Sequence, residues 1–153
     1  MRKTILVGIL VLAVAVPNLF SLGIGGAFGW GVGSLPSQAM LSIKPDKSDA
    51  VFGIGISINS SSFHIGATAD WWMYKDNLVD IINLYIGPGI YLVAGDNYVD
   101  LGARIPIGLQ AFVIDPLELF IELAPSIGVG GIGVSINFPT WGLQSAVGFR
   151  FWF

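Results

Sequence analysis

The segment AVGFRFWF, residues 146–153, decides how the rest of the chain is read. From Val147 every second residue is bulky and apolar, while Ala146, Gly148, Arg150 and Trp152 fall on the other side, which is the two-residue period of a β-strand. A soluble domain usually finishes in a loosely held polar segment. An apolar strand running to a final Phe153 instead points to a terminal residue with a task of its own.

The same period recurs toward the N-terminus. In GIGGAFGWGVG, residues 23–33, Ile24, Phe28, Trp30 and Val32 oppose Gly25, Ala27, Gly29 and Gly31. Phe52, Ile54, Ile56 and Ile58 oppose Gly53, Gly55 and Ser57, and Phe63, Ile65, Ala67 and Trp71 oppose His64, Gly66, Thr68 and Asp70. Leu101, Ala103, Ile105, Ile107 and Leu109 oppose Gly102, Arg104, Pro106, Gly108 and Gln110; Leu117, Leu119, Ile121 and Leu123 oppose Glu118, Phe120, Glu122 and Ala124. A soluble sandwich also alternates, but its outward positions are rich in Lys, Glu and Thr. Here the second face is mostly glycine with a few charges, which suits a crowded interior. Apolar outside and small or polar inside is the arrangement of a transmembrane barrel, whose closed sheet leaves no backbone group unpaired in hydrocarbon.

Composition agrees. Of 153 residues, 54% are apolar and 11% charged, against about a quarter charged in a typical soluble chain, and the mean hydropathy is +0.75. The 21 glycines and 8 prolines are poor helix material, so a membrane solution has to be β. A net charge of −3 with 7 basic residues argues against nucleic acid as partner. The absence of cysteine excludes disulfides, thiolate chemistry and a lipid anchor of the lipobox kind.

Residues 1–23 read as a secretory signal peptide: Arg2 and Lys3, an apolar run from Ile5 to Val16, then Pro17 and small residues at Ser21 and Gly23. Cleavage after Ser21 or Gly23 fits, and residues 24–153 then form one domain. Strands are predicted at about 23–34, 38–44, 50–59, 62–73, 83–95, 98–113, 117–136 and 141–153. Turn residues separate them at Pro36, Pro45-Asp46, 59–62, Asp96-Asn97, Asp115-Pro116 and Pro139, and strand seven is expected to bend or bulge at Pro125. Eight is an even count, as single-chain outer-membrane barrels require. The predicted fold is all-β: an eight-stranded antiparallel up-and-down transmembrane β-barrel.

The closing segment resembles the C-terminal assembly signal of outer-membrane barrels on Gly148, Phe151 and Phe153, with Ala146 where a polar residue is usual. That resemblance implies reading of the terminal Phe by the barrel-assembly machinery. LGARIPIGLQ, LELFIELAP and AVGFRFWF are also similar to short bacterial outer-membrane barrels of the OmpA/OmpX architecture, mostly of unknown function, some implicated in binding host proteins. Gly102, Arg104, Pro106, Gly108, Glu118, Phe120, Glu122, Pro125, Gly148 and Arg150 carry the likeness, which covers roughly residues 100–153.

Parity places Arg104, Glu122, Arg150, Asp70 and His64 in the lumen, where charges must pair or be solvated. A structural network is the expected reading over an ion path, because eight strands leave an interior that side chains just fill. A turn centred on Asp115-Pro116 would set Glu122 opposite Gly108, with Arg104 about four residues, roughly 13 Å, further along. One histidine and no cysteine give no metal site, so no cofactor is expected. A Ser-His-Asp set from Ser57 or Ser62, His64 and Asp70 is formally available, though those serines read as turn residues, and GVGGIGVS lacks the crossover helix of a dinucleotide site. Trp30, Trp71, Trp72, Tyr74, Tyr98 and Trp141 are expected to form interfacial girdles. If the last strand ends in the periplasm, the outward loops near 34–37, 59–62, 95–98 and 136–141 are all short, and WMYKDNLVDIIN lies on the periplasmic side with a helical turn. The expected role is structural or surface contact without catalysis, with outer-membrane lipid, the assembly machinery and an extracellular protein as candidate partners. The competing expectations are a soluble periplasmic barrel with an apolar ligand inside it, and a pore limited by barrel size.

Overall fold

The computed structural model describes residues 21–32, 38–59, 62–96, 98–132 and 135–153. Most of the predicted signal segment and the turn expected at Pro36 lie outside the described residues. The strands are β1 (Leu22–Val32), β2 (Ala39–Pro45), β3 (Ala50–Asn59), β4 (Ser62–Trp71), β5 (Tyr74–Val79), β6 (Ile82–Ile86), β7 (Gly89–Gly95), β8 (Tyr98–Arg104), β9 (Ile107–Ile114), β10 (Leu117–Ile132) and β11 (Ser135–Trp152). No helix occurs among the described residues.

Antiparallel pairing runs β11-β1-β2-β3-β4-β7-β8-β10 and returns to β11, closing an eight-stranded barrel. β5, β6 and β9 continue β4, β7 and β8 toward the end that carries Leu22 and Phe153. There β9 takes the place of β8 beside β10, β6 pairs with β9, and β5 pairs with β6. Three staves of the barrel are therefore interrupted, and proline is the cause. Pro88 and Pro125 flank Ile105 from the two neighbouring staves, and Pro106 follows it. Trp71 N donates to Pro88 O at 2.9 Å, Ile105 N to Pro125 O at 3.0 Å and Gly87 N to Pro106 O at 3.3 Å. A proline has no N–H with which to answer, so the ladder lapses on that level.

The register shows closure directly. Stepping across paired residues from Phe151 leads through Ile24, Ile43, Phe52, Ala69, Ile90, Ala103 and Ile127 to Trp141, ten residues back along the same strand. At about 3.3 Å per residue and 4.8 Å per strand, that stagger tilts the strands by about 40°. Every residue on this circuit points outward, and the residues of the neighbouring circuits point into the barrel. The outward face is apolar all round, with Phe52, Ile54, Leu92, Leu101, Ile121, Val147 and Phe149 exposed.

Three features differ from the sequence reading. β11 begins at Ser135, so Pro139 lies within a strand and the region 136–141 is not a loop; Ile132 pairs with Ser135 across a two-residue connection. The register shift in β10 falls between Gly128 and Gly130, not at Pro125, which stays paired with Leu143. Glycine tolerates the irregular backbone there, whereas Pro125 only forgoes one donor. WMYKDNLVDIIN holds no helical turn: it supplies the β5–β6 hairpin, turning at Asp80, whose φ is 48°.

Lys75 Nζ lies 2.6 Å from Asp49 Oδ1, tying this hairpin to the turn between β2 and β3. Hydrogen bonding and the positive charge of Lys75 hold the Asp49 carboxyl below its ordinary range. A depressed carboxyl stabilises the fold at pH above its unfolded value and loses that contribution as pH falls through the folded value. Acidification below the usual carboxylate range is accordingly expected to lower the hydrogen-exchange protection factors of β5, with rates referred to the intrinsic exchange at each pH, while Asp49→Asn leaves those protection factors indifferent to pH over the same window.

Candidate functional site

The barrel interior is where this chain keeps its chemistry. Charges occupy it in levels set by strand parity and stagger. At the end carrying Leu22 and Phe153, Arg150 on β11 stands directly across from Glu118 on β10. Arg150 Nη1 donates to Glu118 Oε1 at 2.5 Å, Arg150 Nε to Ser42 Oγ at 2.9 Å and Trp152 Nε1 to Glu118 Oε2 at 2.8 Å. The Arg150 guanidinium also lies over Phe120, 4.0 Å from the ring centre, and 5.1 Å from that of Trp72. Glu118 is 0% exposed and Arg150 1%, so this pair is dry and each member depends on the other. Beside it Lys44 Nζ sits 5.0 Å from Trp152 and 5.4 Å from Trp72, a cation between two aromatic faces.

One level further in, Arg104 joins three staves. Its Nη2 donates to Glu122 Oε1, its Nη1 to Gln144 Oε1, and its Nε lies 3.0 Å from Asp70 Oδ1. Tyr85 OH donates to the other oxygen of Glu122 at 2.9 Å. Glu122 does stand opposite Gly108 in the ladder, and Arg104 stands opposite Ser126, further up β10. The long arginine side chain covers the offset by running down the lumen. Asp70 needs no such reach: Asp70, Gly89 and Arg104 are successive partners on one level. Gly89 makes the contact possible, because a Cβ there would lie 2.0 Å from Asp70 Oδ1.

Toward the opposite end, Asp100 accepts from Tyr91 OH at 2.9 Å, Tyr98 OH at 2.7 Å and Thr140 Oγ1 at 3.3 Å. His64 stands edge-on to the Tyr98 ring, centres 6.1 Å apart.

Of the five lumen residues read from sequence, the structure brings Asp70, Arg104 and Glu122 together. Arg150 belongs to a separate group with Glu118, and His64 lies near the far end with Tyr98. Ser57 pairs with His64 across β3 and β4, but Asp70 is about 20 Å further down β4 and engaged by Arg104. The sequence reading missed Glu118, Tyr85, Gln144, Ser42 and Asp100 as members of these groups. Their parity was legible, since Glu118 shares the face of Glu122 and Asp100 that of Arg104; their partners were not.

The aromatic girdle needs correction. Trp30, Trp71, Tyr74 and Trp141 point outward, each between 42% and 68% exposed. Tyr74 and Trp141 stand about 25 Å apart along the barrel axis for the tilt and stagger above, the height of the apolar band of such barrels, with Trp30 and Trp71 between them. Trp72 and Tyr98 are inside. Trp72 is 1% exposed and stacks on Tyr85 at 3.6 Å between ring centres, and Tyr98 bonds Asp100. Successive strand residues face opposite sides, so Trp71 and Trp72 cannot both lie outside, and Tyr98 shares the parity of Asp100.

Gly148 faces the lumen against Phe120, where a Cβ would lie 2.6 Å from the ring, while Phe151 and Phe153 point outward. Phe153 and Leu22 exchange backbone hydrogen bonds of 3.2 Å in both directions, fastening β11 to β1.

No protein-family model and no curated protein matches the chain. Among solved structures it is similar to Neisserial surface protein A, at 16% identity and a TM-score of 0.48, over 88% of this chain and 97% of that one. The closed ladder, and not this likeness, establishes the barrel.

Proposed function

We propose that this chain is a small integral outer-membrane β-barrel with a structural or surface-contact role and no catalytic one. The observation that carries the reading is the inversion of the fold: buried ion pairs such as Arg150–Glu118 fill the inside, and an unbroken apolar surface covers the outside. In water such a surface would far exceed the few hundred Å² of contiguous apolar patch a monomer tolerates. A ligand cavity wants a roomy apolar interior, whereas this one is packed with Trp72, Tyr85, Phe120, Arg104 and Arg150. That packing speaks against both the soluble ligand-binding barrel and an open pore. Outer-membrane lipid and the barrel-assembly machinery are the partners this role requires, the latter through Gly148, Phe151 and Phe153; the connections at the end away from Phe153 are short in sequence, six residues between β1 and β2 and two each between β3 and β4, β7 and β8, and β10 and β11, which favours a structural role over recognition of an extracellular protein. Among the two cleavage positions, Ser21 leaves β1 whole, while Gly23 would remove residues that pair with Lys44 and Trp152.

Cell fractionation followed by gel electrophoresis of unheated and boiled samples tests the assignment. An outer-membrane band that changes mobility on boiling is expected; a soluble periplasmic protein without a shift would sink it. A second test uses Ile90, 51% exposed and near mid-height. Ile90→Arg is expected to destabilise the lipid-embedded barrel by about 2–4 kcal/mol, measured by urea unfolding in vesicles. In a water-soluble barrel the same exposed substitution would stay within about 0.5 kcal/mol.

A further inference from the structure

Between the two ion-pair levels lies a void of about 20 Å³, bordered by Ser42, Thr68, Asp70, Arg104, Glu122 and Arg150 among others. About 10–15 Å³ suffices for one water, provided that two to four polar groups surround it. Two of the bordering groups have hydrogen-bonding capacity left over. Asp70 Oδ1 and Arg104 Nε are 3.0 Å apart, yet neither makes a directed hydrogen bond, and their residues are 3% and 2% exposed. The two atoms neutralise each other as an ion pair, but the hydrogen-bonding capacity that their alignment leaves unused in a buried site favours a further polar partner.

We propose that this void is a binding site for a single ordered water, which accepts from Arg104 Nε and donates to Asp70 Oδ1. Its remaining hydrogen and lone pair face Ser42 and Glu122, whose groups already serve Arg150 and Arg104. The water thus joins the Arg150–Glu118–Ser42 group to the Asp70–Arg104–Glu122 group, making one polar plug of two ion-pair levels. The site belongs to the barrel interior and does not depend on which membrane, if any, surrounds it.

The chain has only three arginines, Arg2, Arg104 and Arg150, so arginine-selective ¹⁵N labelling of the folded protein in detergent micelles isolates the relevant side-chain N–H signals, and Arg150→Lys assigns Arg104. A dipolar cross-peak between water and Arg104 Nε–H, without rapid proton exchange, is the expected result. Ala146→Val, which adds two methyl groups to the wall of the void, should abolish that cross-peak while leaving the heat-dependent gel shift of the barrel. A resolved Arg104 signal with no water contact would overturn the proposal. Exchange of that proton with bulk solvent would overturn it too, since the lumen would then be open. Should Ala146→Val fail to fold, the unsubstituted protein decides alone.

Discussion

Glu118→Ala is expected to destabilise the barrel by about 3–5 kcal/mol, because it strands the Arg150 guanidinium in a dry interior. The pair is the most enclosed ion pair among the described residues, and Trp152 Nε1 loses its acceptor in the same substitution. Ser42 Oγ and the Phe120 ring remain against Arg150, but neither carries a negative charge. Urea unfolding in lipid vesicles, followed by tryptophan fluorescence, measures the loss. The double variant Glu118→Met with Arg150→Met separates charge from packing. Apolar side chains of similar length need no counter-ion, so the double variant is expected to recover most of the stability lost by the single one. A single variant costing less than about 1 kcal/mol would mean that water reaches Arg150, and the lumen would have to be described as wet.

Gly25→Val is expected to be as damaging by a different route. A Cβ at Gly25 would lie 1.7 Å from the carbonyl oxygen of Phe149 and 2.7 Å from the Cα of Arg150. Both are backbone atoms of β11, so the relief available is separation of β1 from β11, the seam at which the sheet closes. Overpacking that flexible side chains cannot absorb costs about 3 kcal/mol or more. The variant is expected to refold poorly and to lose the form that resists detergent until boiled. Its neighbour provides the control. A Cβ at Gly26 meets nothing nearer than 3.8 Å, so Gly26→Ala should fold and shift on boiling as the parent does. Equal damage from both would place the fault in local glycine flexibility instead of in the seam.

These two residues mark what could be read in advance. That Glu118 and Arg150 face inward followed from strand parity, because a period of two assigns every residue to one face once one neighbour is placed. Parity likewise placed Asp70, Arg104, Phe120 and Glu122 inside and residues such as Ile54, Leu101, Ile121, Phe52 and Phe149 outside. At Trp72 and Tyr98, expected in the girdle from residue type, strand parity prevails and both rings lie inside. Pro139 misled for a related reason: proline marks turns, but on a strand it only forfeits one donor.

The sequence by itself determined the fold class, the eight staves of the barrel and the side to which Asp70, Arg104, Glu118, Glu122 and Arg150 point, since all three follow from local alternation and the turn residues that interrupt it. Only the tertiary structure decided which charges meet. The ten-residue stagger brings Asp70 level with Arg104 and lets the long Arg104 side chain run down to Glu122, leaving Arg150 to Glu118. It also sets Gly25 against the Phe149 backbone, so that side-chain volume at that position becomes a matter of closure. Register and stagger belong to the closed ring as a whole, because each strand's offset is fixed only when the last strand meets the first.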